Sequence, residues 1–379
     1  MSVDKMKKIK ILMVLGNTRM GGVQALILNI LRNIDLNRFH IDFAINFYAE
    51  SNGIEDECKK YGCKFYILPY FKIYNYLWYK RNWTKFLNQH NYDIVYAHST
   101  NSASIFLKIA KKLGMKTISH SHSTGFRGGI IERMAKKYFA KGVGEVSDYW
   151  FACSDKAAIR LYGKDYTNYK HYYAIPNAID VKKYIFNNDI RKKIRGQYGI
   201  ADKTILYGHV GTFSTPKNHK FLIEIFENIL KKQPNSALIC CGAGALQPAI
   251  ANMAKEKNIS DKVIFAGVVN NVNEIMMGMD AFIFPSLFEG FGVSILEAQA
   301  AGLPVTMSDI IPSEVDLTDL IRRCNLTESA EVWASKIIAN TIPINRTIYN
   351  DIVANSEYDI KKTVKKFEKL YEELVKSKQ

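Results

Sequence analysis

Short apolar runs of strand length alternate with longer segments of helical spacing from the start of the chain. The run IKILMVL precedes the helix-like VQALILNILRNI, and HIDFAIN, CKFYIL, YDIVYAH and KTISHSH follow with helical segments between them. Strands that alternate with helices in this way are typical of β-α-β units in a mainly parallel, doubly wound sheet. The first half of the chain is therefore predicted to be a Rossmann-like domain.

A second series of strand-length runs begins after a polar, basic segment at residues 181–202. Its runs are TILYGHVG, SALICCGAG, VIFAG, AFIFPS and LPVTMS, with helical segments such as HKFLIEIFENILKK between most of them. The lower apolar content of the basic segment indicates a domain boundary. We predict two Rossmann-like domains, residues 1–185 and 186–355, followed by a closing helix at residues 356–379.

The closing helix is predicted from apolar residues at helical spacing along a charged segment. These residues are Ile360, Val364, Phe367, Tyr371 and Leu374. In open α/β sheets, ligands bind beyond the carboxyl ends of the strands. Two such sheets therefore predict a substrate cleft between the two domains.

Composition narrows the class of protein. The 379 residues are 47% hydrophobic and 23% charged, as in folded globular proteins, and the net charge of +16 predicts an acidic partner. Nucleic acid, anionic lipid and phosphorylated substrates all carry the negative charge that such a partner needs. The apolar run at residues 9–15 is too short for a membrane span, so a cytoplasmic protein is expected. Six cysteines without a CxxC pair predict neither a disulfide framework nor a zinc site.

Two acids flank a glycine-containing loop in FPSLFEGFGVSILEAQAAGLPV, residues 284–305. AFIFPS is predicted to be a buried strand and VSILEAQAAG a helix, so Glu289 lies on the connecting loop and Glu297 in the helix. Gly290 and Gly292 allow a sharp turn, and the helix N-terminus favours a negatively charged ligand. One carboxylate could bind a sugar and the other a ribose diol. The alternative is that both acids are solvated surface residues.

The phrase DAFIFPSLFEGFGVSILEAQAAGLPV resembles the Glu-x7-Glu loop of the retaining glycosyltransferases of family four. The resemblance extends to IPNAID, to VGTFSTPKNHKFLI and to GNTRMGGVQALILNIL, which together cover nearly the whole chain in the family's order. It implies an α/β GT-B fold, with two facing Rossmann-like domains, a central cleft and a long C-terminal helix. The N-terminal domain would bind the acceptor and the C-terminal domain the nucleotide sugar.

The resemblance also implies the chemistry: a sugar is transferred from a nucleotide diphosphate with retention at the anomeric carbon and without a metal ion or other cofactor. Glu297 would bind the ribose, Glu289 and the backbone of Phe291 and Gly292 the sugar hydroxyls, and Lys217 the diphosphate. The predicted catalytic residues are His122, Lys217 and Glu289. The predicted donor-binding residues are Gly22, Lys217, Val268, Glu289, Gly290, Phe291, Gly292, Val293 and Glu297.

One position departs from the family's pattern. The family commonly has arginine directly after the glycine of the first strand in the second domain, where this chain has Thr212. One of two expected phosphate-binding cations is therefore missing, unless Arg19, Lys220 or another group replaces it. Weak or unusual use of the donor is one hypothesis that follows.

Three histidines end two predicted strands of the first domain. His98 ends YDIVYAH, and His120 and His122 end KTISHSH. A metal site is disfavoured because no third ligand is evident near the His-x-His pair. The family has a histidine near the transferred sugar in this region, for which His122 is the match and His120 the rival. The alternative is a buried histidine without contact to substrate.

Aromatic and cationic residues alternate in PYFKIYNYLWYKRNWTKF, residues 69–86. This pattern suits a membrane interface or a lipid diphosphate acceptor, and equally the aromatic edge of a core with solvated lysines. Further basic residues follow at Arg127, Arg133, Lys136, Lys137 and Lys141. Because bacterial members of the family often extend lipid-linked saccharides, the resemblance implies such an acceptor and peripheral association with the inner face of an anionic membrane.

The expected function is therefore transfer of a hexose or N-acetylhexosamine from a UDP-sugar to a lipid-linked or polysaccharide acceptor, in capsule or exopolysaccharide synthesis. UDP is preferred because it is the family's usual nucleotide. A nucleotide-sugar epimerase with the same fold is the alternative enzyme. A basic nucleic-acid or surface-binding protein fits the charge but lacks a recognised binding motif, so nucleic acid is not an expected partner. Gly21-Gly22 lacks the GxGxxG pattern of a dinucleotide site, which disfavours an oxidoreductase.

Overall fold

The computed structural model describes residues 7–49, 53–100, 102–122, 134, 138, 140, 142–341 and 345–377. The chain divides into two compact units: unit 1 comprises Met1–Ala178 and Ile360–Gln379, and unit 2 comprises Ile179–Asp359. The boundaries predicted after residues 185 and 355 lie close to these divisions. Arg127, Arg133, Lys136, Lys137 and Lys141 lie outside the described residues.

Unit 1 contains a seven-stranded parallel sheet in the order β3-β2-β1-β4-β5-β6-β7. Its strands are β1 (Ile9–Val14), β2 (Phe39–Ile45), β3 (Phe65–Ile67), β4 (Ile94–Ala97), β5 (Lys116–Ser121), β6 (Tyr149–Ala152) and β7 (Tyr172–Ala174). The central strands are apolar on both faces because helices cover both sides of a parallel sheet. The predicted alternation of strands and helices in this half is confirmed.

Unit 2 contains a six-stranded parallel sheet in the order β10-β9-β8-β11-β12-β13. Its strands are β8 (Ile205–Val210), β9 (Ser236–Cys241), β10 (Val263–Gly267), β11 (Ala281–Phe284), β12 (Val305–Ser308) and β13 (Ile321–Cys324). Because β8 and β11 are neighbours in the sheet, the loops that leave their carboxyl ends are also neighbours. The predicted second Rossmann-like sheet is confirmed.

Helices connect most of these strands. Among the described residues of unit 1 they are α1 (Gly22–Asn33), α2 (Glu55–Lys59), α3 (Tyr76–Gln89), α4 (Ala103–Lys112), α5 (Val143–Val146) and α6 (Asp155–Tyr162). In unit 2 they are α7 (Asn188–Gln197), α8 (His219–Lys232), α9 (Gln247–Glu256), α10 (Val272–Gly278), α11 (Val293–Ala300), α12 (Ala330–Asn340) and α13 (Thr347–Asn355). Within the described residues, no helix has both the length and the apolar character needed to cross a bilayer.

The last helix, α14 (Ile360–Lys376), returns to unit 1. All five apolar residues that predicted it are buried in the same core cluster as the central strands of that unit. Phe367 and Tyr371 stack on one another with ring centroids 5.6 Å apart, and Tyr371 meets the edge of the Phe39 ring. The amphipathic pattern of the last segment therefore reflects burial against the first sheet, although that sheet lies far away in the sequence.

Candidate active site

The loops after β8 and β11 are joined by hydrogen bonds at the carboxyl edge of the second sheet. The backbone NH of Leu287 donates to the Pro216 carbonyl at 2.8 Å, and the Asn218 side-chain amide donates to the Pro285 carbonyl at 3.1 Å. Lys217 ends a single 3₁₀ turn, Thr215–Lys217, in the first of these loops. The sheet order thus places Lys217 beside the loop that carries Glu289.

Lys217 and Glu289 form an ion pair and a hydrogen bond. Both side chains are more than four-fifths buried, and the Lys217 ammonium lies 4.4 Å from the centroid of the Phe284 ring. The Lys217 side chain also passes close to Gly211, where an added Cβ would lie 3.2 Å from Lys217 Cδ. The two predicted catalytic residues of unit 2 are therefore in contact, with the cation held over an aromatic face.

Gly292 starts α11 in a left-handed conformation, with φ of +90°. The positive φ favours glycine here, because side-chain-bearing residues rarely adopt this conformation. The NH of Gly290 donates to Glu289 Oε1 at 3.1 Å. The turn leads into the N-terminus of α11. The backbone NH groups of the first helical residues, beginning with Val293, lie at this end of the helix, which favours an anion.

Phe291 differs from its neighbours because its side chain is buried in the core. Its ring stacks on Tyr358, with centroids 5.2 Å apart. Only the backbone of Phe291 is therefore left to contact a ligand, which agrees with the backbone role that the family resemblance implies. Its contact with a sugar stays a prediction.

Glu297 lies on α11 and accepts a hydrogen bond from the Tyr184 hydroxyl, with 2.7 Å between Tyr184 Oη and Glu297 Oε1. Burial raises the pKa of Glu297 to about 7, and the Tyr184 hydrogen bond acts in the opposite direction because it stabilises the carboxylate. Burial and the nearby Glu297 raise the pKa of Tyr184 well above its usual value, so Tyr184 remains a donor. Near pH 7, the neutral and the charged form of Glu297 are therefore both populated.

Tyr184 is not among the site residues predicted from the sequence. It ends a 3₁₀ turn, Val181–Tyr184, inside the segment that was assigned to the linker because of its charge. A weak signal was available, since Tyr184 is an aromatic residue in a polar segment directly after IPNAID. Its 93% burial and its partner 113 residues away emerge only from the fold.

A second missed feature is the glycine pair Gly242 and Gly244 in the loop after β9. Gly242 has φ of +134°, and a Cβ there would lie 2.1 Å from the Gly211 carbonyl oxygen. A Cβ at Gly244 would lie 2.4 Å from the Phe213 carbonyl oxygen. The β8 and β9 loops therefore pack backbone against backbone, and any side chain at these positions would separate them. The G-x-G in CCGAGAL was the sequence signal.

No contact with Lys217, Glu289 or Glu297 is described for two further predicted donor-binding residues, Val268 and Gly22. Val268 follows the carboxyl end of β10, an edge strand, and is exposed. Gly22 is exposed at the start of α1 in unit 1. Thr212, which replaces the family's usual arginine, is exposed, and its hydroxyl lies 3.2 Å from Ser214 Oγ. The roles of Val268 and Gly22 stay predictions.

Unit 1 contains a cluster of three histidines at the carboxyl ends of β4 and β5. His98 Nδ1 lies 2.9 Å from His122 Nε2, and His120 Nδ1 lies 2.7 Å from the Tyr96 hydroxyl. Each ring has a nitrogen within 4.8 Å of nitrogens on both other rings. The statement that no third ligand lies near His120 and His122 was wrong. The β4–β5 register pairs Ala97 with Ser119, which puts His98 beside the His-x-His pair.

Burial lowers the pKa of all three histidines. The pKa of His122 is lowered to about 4 by burial, although a hydrogen bond with Asn177 acts in the opposite direction. The pKa values of His98 and His120 lie well below the usual value. The rings are therefore neutral at pH 7, and each can donate one hydrogen bond and accept another. Three neutral imidazoles can also act as ligands for a transition metal. The contact of His122 with a sugar stays a prediction. His122 is partly exposed, whereas its rival His120 is fully buried.

Two family models match the chain and together span most of it. The model described as Glycosyltransferase Family 4 matches residues 20–183, and the model described as Glycosyl transferases group 1 matches residues 190–319. The two sheets and the acid-containing loop define the same class. The chain belongs to the group 1, family 4 glycosyltransferases with the GT-B fold, and it is a glycosyltransferase.

Individual relatives agree with this assignment. EpsF of Bacillus subtilis (strain 168), which carries a glycosyltransferase name, is 27% identical over 333 residues that cover 86% of each chain. The UDP-Gal:alpha-D-GlcNAc-diphosphoundecaprenol alpha-1,3-galactosyltransferase of Escherichia coli is 27% identical over 241 residues, 60% of each chain. The crystal structure of Anabaena Alr3699/HepE in complex with UDP and glucose superposes with a TM-score of 0.77 at 16% identity, covering 96% of this chain and 99% of that one.

Proposed function

We propose that this glycosyltransferase moves a hexose or N-acetylhexosamine from a UDP-sugar, with retention at the anomeric carbon, to a lipid-linked or polysaccharide acceptor in cell-surface glycan synthesis. The observation that carries the proposal is the buried contact between Lys217 and Glu289 at the carboxyl edge of the second sheet. At that edge, the cation can bind the diphosphate of a nucleotide sugar, and the carboxylate can bind the hydroxyl groups of its sugar ring.

In the proposed complex, the Lys217 ammonium pairs with the donor diphosphate in place of Glu289. The Glu289 carboxylate then accepts hydrogen bonds from sugar hydroxyls. The start of α11 adds backbone NH groups on the same side. Glu297 binds the two ribose hydroxyls as a carboxylate, because an ionised carboxyl accepts two hydrogen bonds and a protonated one must also donate. Binding of the donor would thus replace the Lys217–Glu289 ion pair by contacts of each residue with the donor.

In the proposed reaction, the bond between the anomeric carbon and the diphosphate oxygen breaks while the acceptor hydroxyl oxygen bonds to the same face of that carbon. The acceptor's proton moves to the departing diphosphate, whose growing charge Lys217 stabilises. No carboxylate is required as a nucleophile. His122, neutral at pH 7, would hydrogen-bond the sugar in this step.

The choice of UDP and of a lipid-linked acceptor is supported by the relatives. The name of the Escherichia coli relative specifies both UDP-Gal and a diphosphoundecaprenol acceptor, and Anabaena Alr3699/HepE was crystallised with UDP. Both the Bacillus subtilis and the Escherichia coli relatives carry glycosyltransferase names, which supports transfer over epimerisation.

Calorimetric titration with UDP, GDP and ADP tests the donor. We expect selective binding of UDP, followed by transfer from a UDP-sugar to a GlcNAc-diphospho-polyprenol. The anomeric configuration of the donor sugar should be the same in the product, as measured by the anomeric proton coupling in NMR spectra. Tight binding of another nucleotide would contradict the choice of UDP. An inverted product would contradict retention. Formation of an epimerised nucleotide sugar without acceptor would support the epimerase instead.

A chelator test addresses the metal. Since Lys217 supplies the positive charge that a divalent ion supplies in other transferases, we expect millimolar EDTA to leave the initial rate unchanged within twofold. Metal analysis of the purified protein is the second measurement, because His98, His120 and His122 could hold an ion. Stoichiometric zinc that is lost on His98→Ala, together with a rate lost in EDTA, would contradict metal independence.

A further inference from the structure

One apolar side chain anchors the loop between β11 and α11. Leu287 and Phe288 are exposed, whereas the Phe291 ring is 2% exposed and lies in the apolar core of unit 2. Glu289, between them, pairs with Lys217. The position of the loop backbone beside Glu289 therefore depends on what the Phe291 ring packs against.

A described partner of the Phe291 ring is Tyr358, which lies after α13, in the segment that precedes α14. The two rings stack with centroids 5.2 Å apart and an angle of 26° between their planes. Stacked aromatic rings attract one another beyond the effect of the area that they bury. The contact therefore holds the loop against a part of the chain that no local pattern relates to it.

Tyr358 is itself held from several sides. Its hydroxyl donates a hydrogen bond to the Glu314 carbonyl at 2.6 Å, and its NH donates one to Ser356 Oγ at 3.2 Å. Its carbonyl accepts a hydrogen bond from the NH of Ile179, the first residue of unit 2, at 2.9 Å. The tyrosine ring therefore presents a fixed face to the loop.

We propose that Tyr358 is a positioning residue for the donor: its ring holds the Phe291 backbone where the NH groups of the loop can bind the hydroxyls of the donor sugar. Tyr358 does not touch the donor and acts through Phe291. This inference rests on the proposed function, because it requires the donor sugar to lie against this loop.

The proposal differs from a general structural role in what it predicts for the parts of the donor. The diphosphate and the ribose are assigned to Lys217 and Glu297, so loss of the stacked pair should weaken contacts with the sugar and leave the nucleotide bound. A tyrosine that merely stabilised unit 2 would, when removed, weaken binding of UDP and of a UDP-sugar alike. The ratio of the two affinities therefore separates the two roles.

The test measures that ratio by calorimetry. Wild type is titrated with UDP, UDP-galactose, UDP-glucose and UDP-N-acetylglucosamine, and the conjugate that binds most tightly is used for all variants. Tyr358→Leu should weaken binding of this conjugate about tenfold, the upper range for loss of an aromatic pair, and leave UDP binding unchanged within twofold. Tyr358→Phe keeps the ring, so both dissociation constants should stay within twofold of wild type although the hydrogen bond to Glu314 is lost.

Tyr61→Leu is the matched control. Tyr61 is a half-buried tyrosine that packs against the core of unit 1 before β3, so the same substitution removes a similar ring where no donor contact is proposed. Both constants should be unchanged. Tyr358→Leu combined with Phe291→Leu should lose no more sugar affinity than Phe291→Leu alone, because the stacked pair is already broken. Thermal unfolding midpoints above the titration temperature show that the variants are folded.

Glu289→Gln separates failure of this inference from failure of the proposed function, under which it lowers affinity for the UDP-sugar relative to UDP. If it does so and Tyr358→Leu does not, the positioning role is wrong and the proposed function stands. If neither variant does so, the donor sugar does not bind at this loop and both are wrong. Equal losses of UDP and UDP-sugar in Tyr358→Leu, or an equally large loss in Tyr358→Phe, would also overturn the role of the ring.

Discussion

Lys217→Met is expected to lower kcat by about 10²- to 10³-fold, the usual effect of removing one group that stabilises charge in a transition state. Methionine keeps most of the length and apolar volume of the side chain over Phe284 but removes the cation that pairs with Glu289. Because the leaving diphosphate gains charge as the bond breaks, the larger loss should appear in kcat and a smaller one in KM. Steady-state kinetics with a UDP-sugar and the acceptor measure both.

Two further lysines make the result interpretable. Lys203→Met is the matched control, because Lys203 is exposed before β8, at the opposite end of the strand from Lys217. It should leave both constants unchanged. Lys220→Met tests the rival cation, since Lys220 was considered as a replacement for the missing arginine at Thr212. A loss of kcat in the Lys220 variant, with none in Lys217→Met, would move the phosphate-binding role from Lys217 to Lys220.

Glu297→Gln is expected to weaken binding of a UDP-sugar by about a hundredfold. A hydrogen bond to a charged group contributes about 1.5–3 kcal/mol, and about 1.4 kcal/mol corresponds to a factor of ten in affinity. Glutamine keeps the size of the side chain but cannot accept two hydroxyl hydrogen bonds as a charged group. Calorimetry gives the dissociation constants, and Glu331→Gln, at an exposed position of α12, is the matched control.

The same carboxyl group should make donor binding depend on pH. With a pKa of about 7, Glu297 is mostly protonated at pH 6 and mostly ionised at pH 8, so wild-type affinity for the UDP-sugar should rise roughly tenfold over that interval. A UDP-sugar is the right probe, because its diphosphate does not titrate in this range. Tyr184→Phe removes a hydrogen bond to the carboxylate and should shift the midpoint to higher pH. A pH profile that survives in Glu297→Gln would assign the titration to another group.

Stability provides an independent check on that pKa. The folded-state pKa of Glu297 lies above the usual value of 4.5, so between these two values the folded protein binds more protons than the unfolded chain at this site. The contribution of Glu297 to the free energy of unfolding is therefore largest below pH 4.5 and falls as pH rises toward 7. Glu297→Gln should remove this component of the pH dependence, which thermal unfolding at several pH values measures.

The local pattern of the chain was sufficient for most of the architecture. The alternation of apolar runs predicted both parallel sheets, since a strand that is buried on both faces must be apolar throughout. Ser154 directly precedes the helix that begins at Asp155, and its hydroxyl accepts a hydrogen bond from the Ala157 NH, as its position as an N-cap residue predicts. Gly292 and Gly302 have positive φ at the start and end of the predicted Glu297 helix. These features depend on residues close together in sequence.

The histidine cluster shows where local pattern was insufficient. His98 and His120 were both placed at strand ends, but a metal ligand set was judged incomplete because the order of strands in the sheet was not known. Pairing of β4 with β5 brings His98 within hydrogen-bonding distance of His122. A prediction that treated the two strands as neighbours would have found the third imidazole.

The sequence by itself determined the two Rossmann-like sheets, the amphipathic last helix, and the loop with Glu289 that leads into the helix with Glu297. Each of these follows from hydrophobic period, glycine conformation or a motif within one segment. Only the tertiary structure decided that Lys217 contacts Glu289, that Tyr184 contacts Glu297, that Gly242 packs on Gly211 and that the last helix belongs to unit 1. The physical reason is that such contacts depend on strand order and on burial between distant segments, and a periodic pattern specifies which face is buried but not which partner covers it.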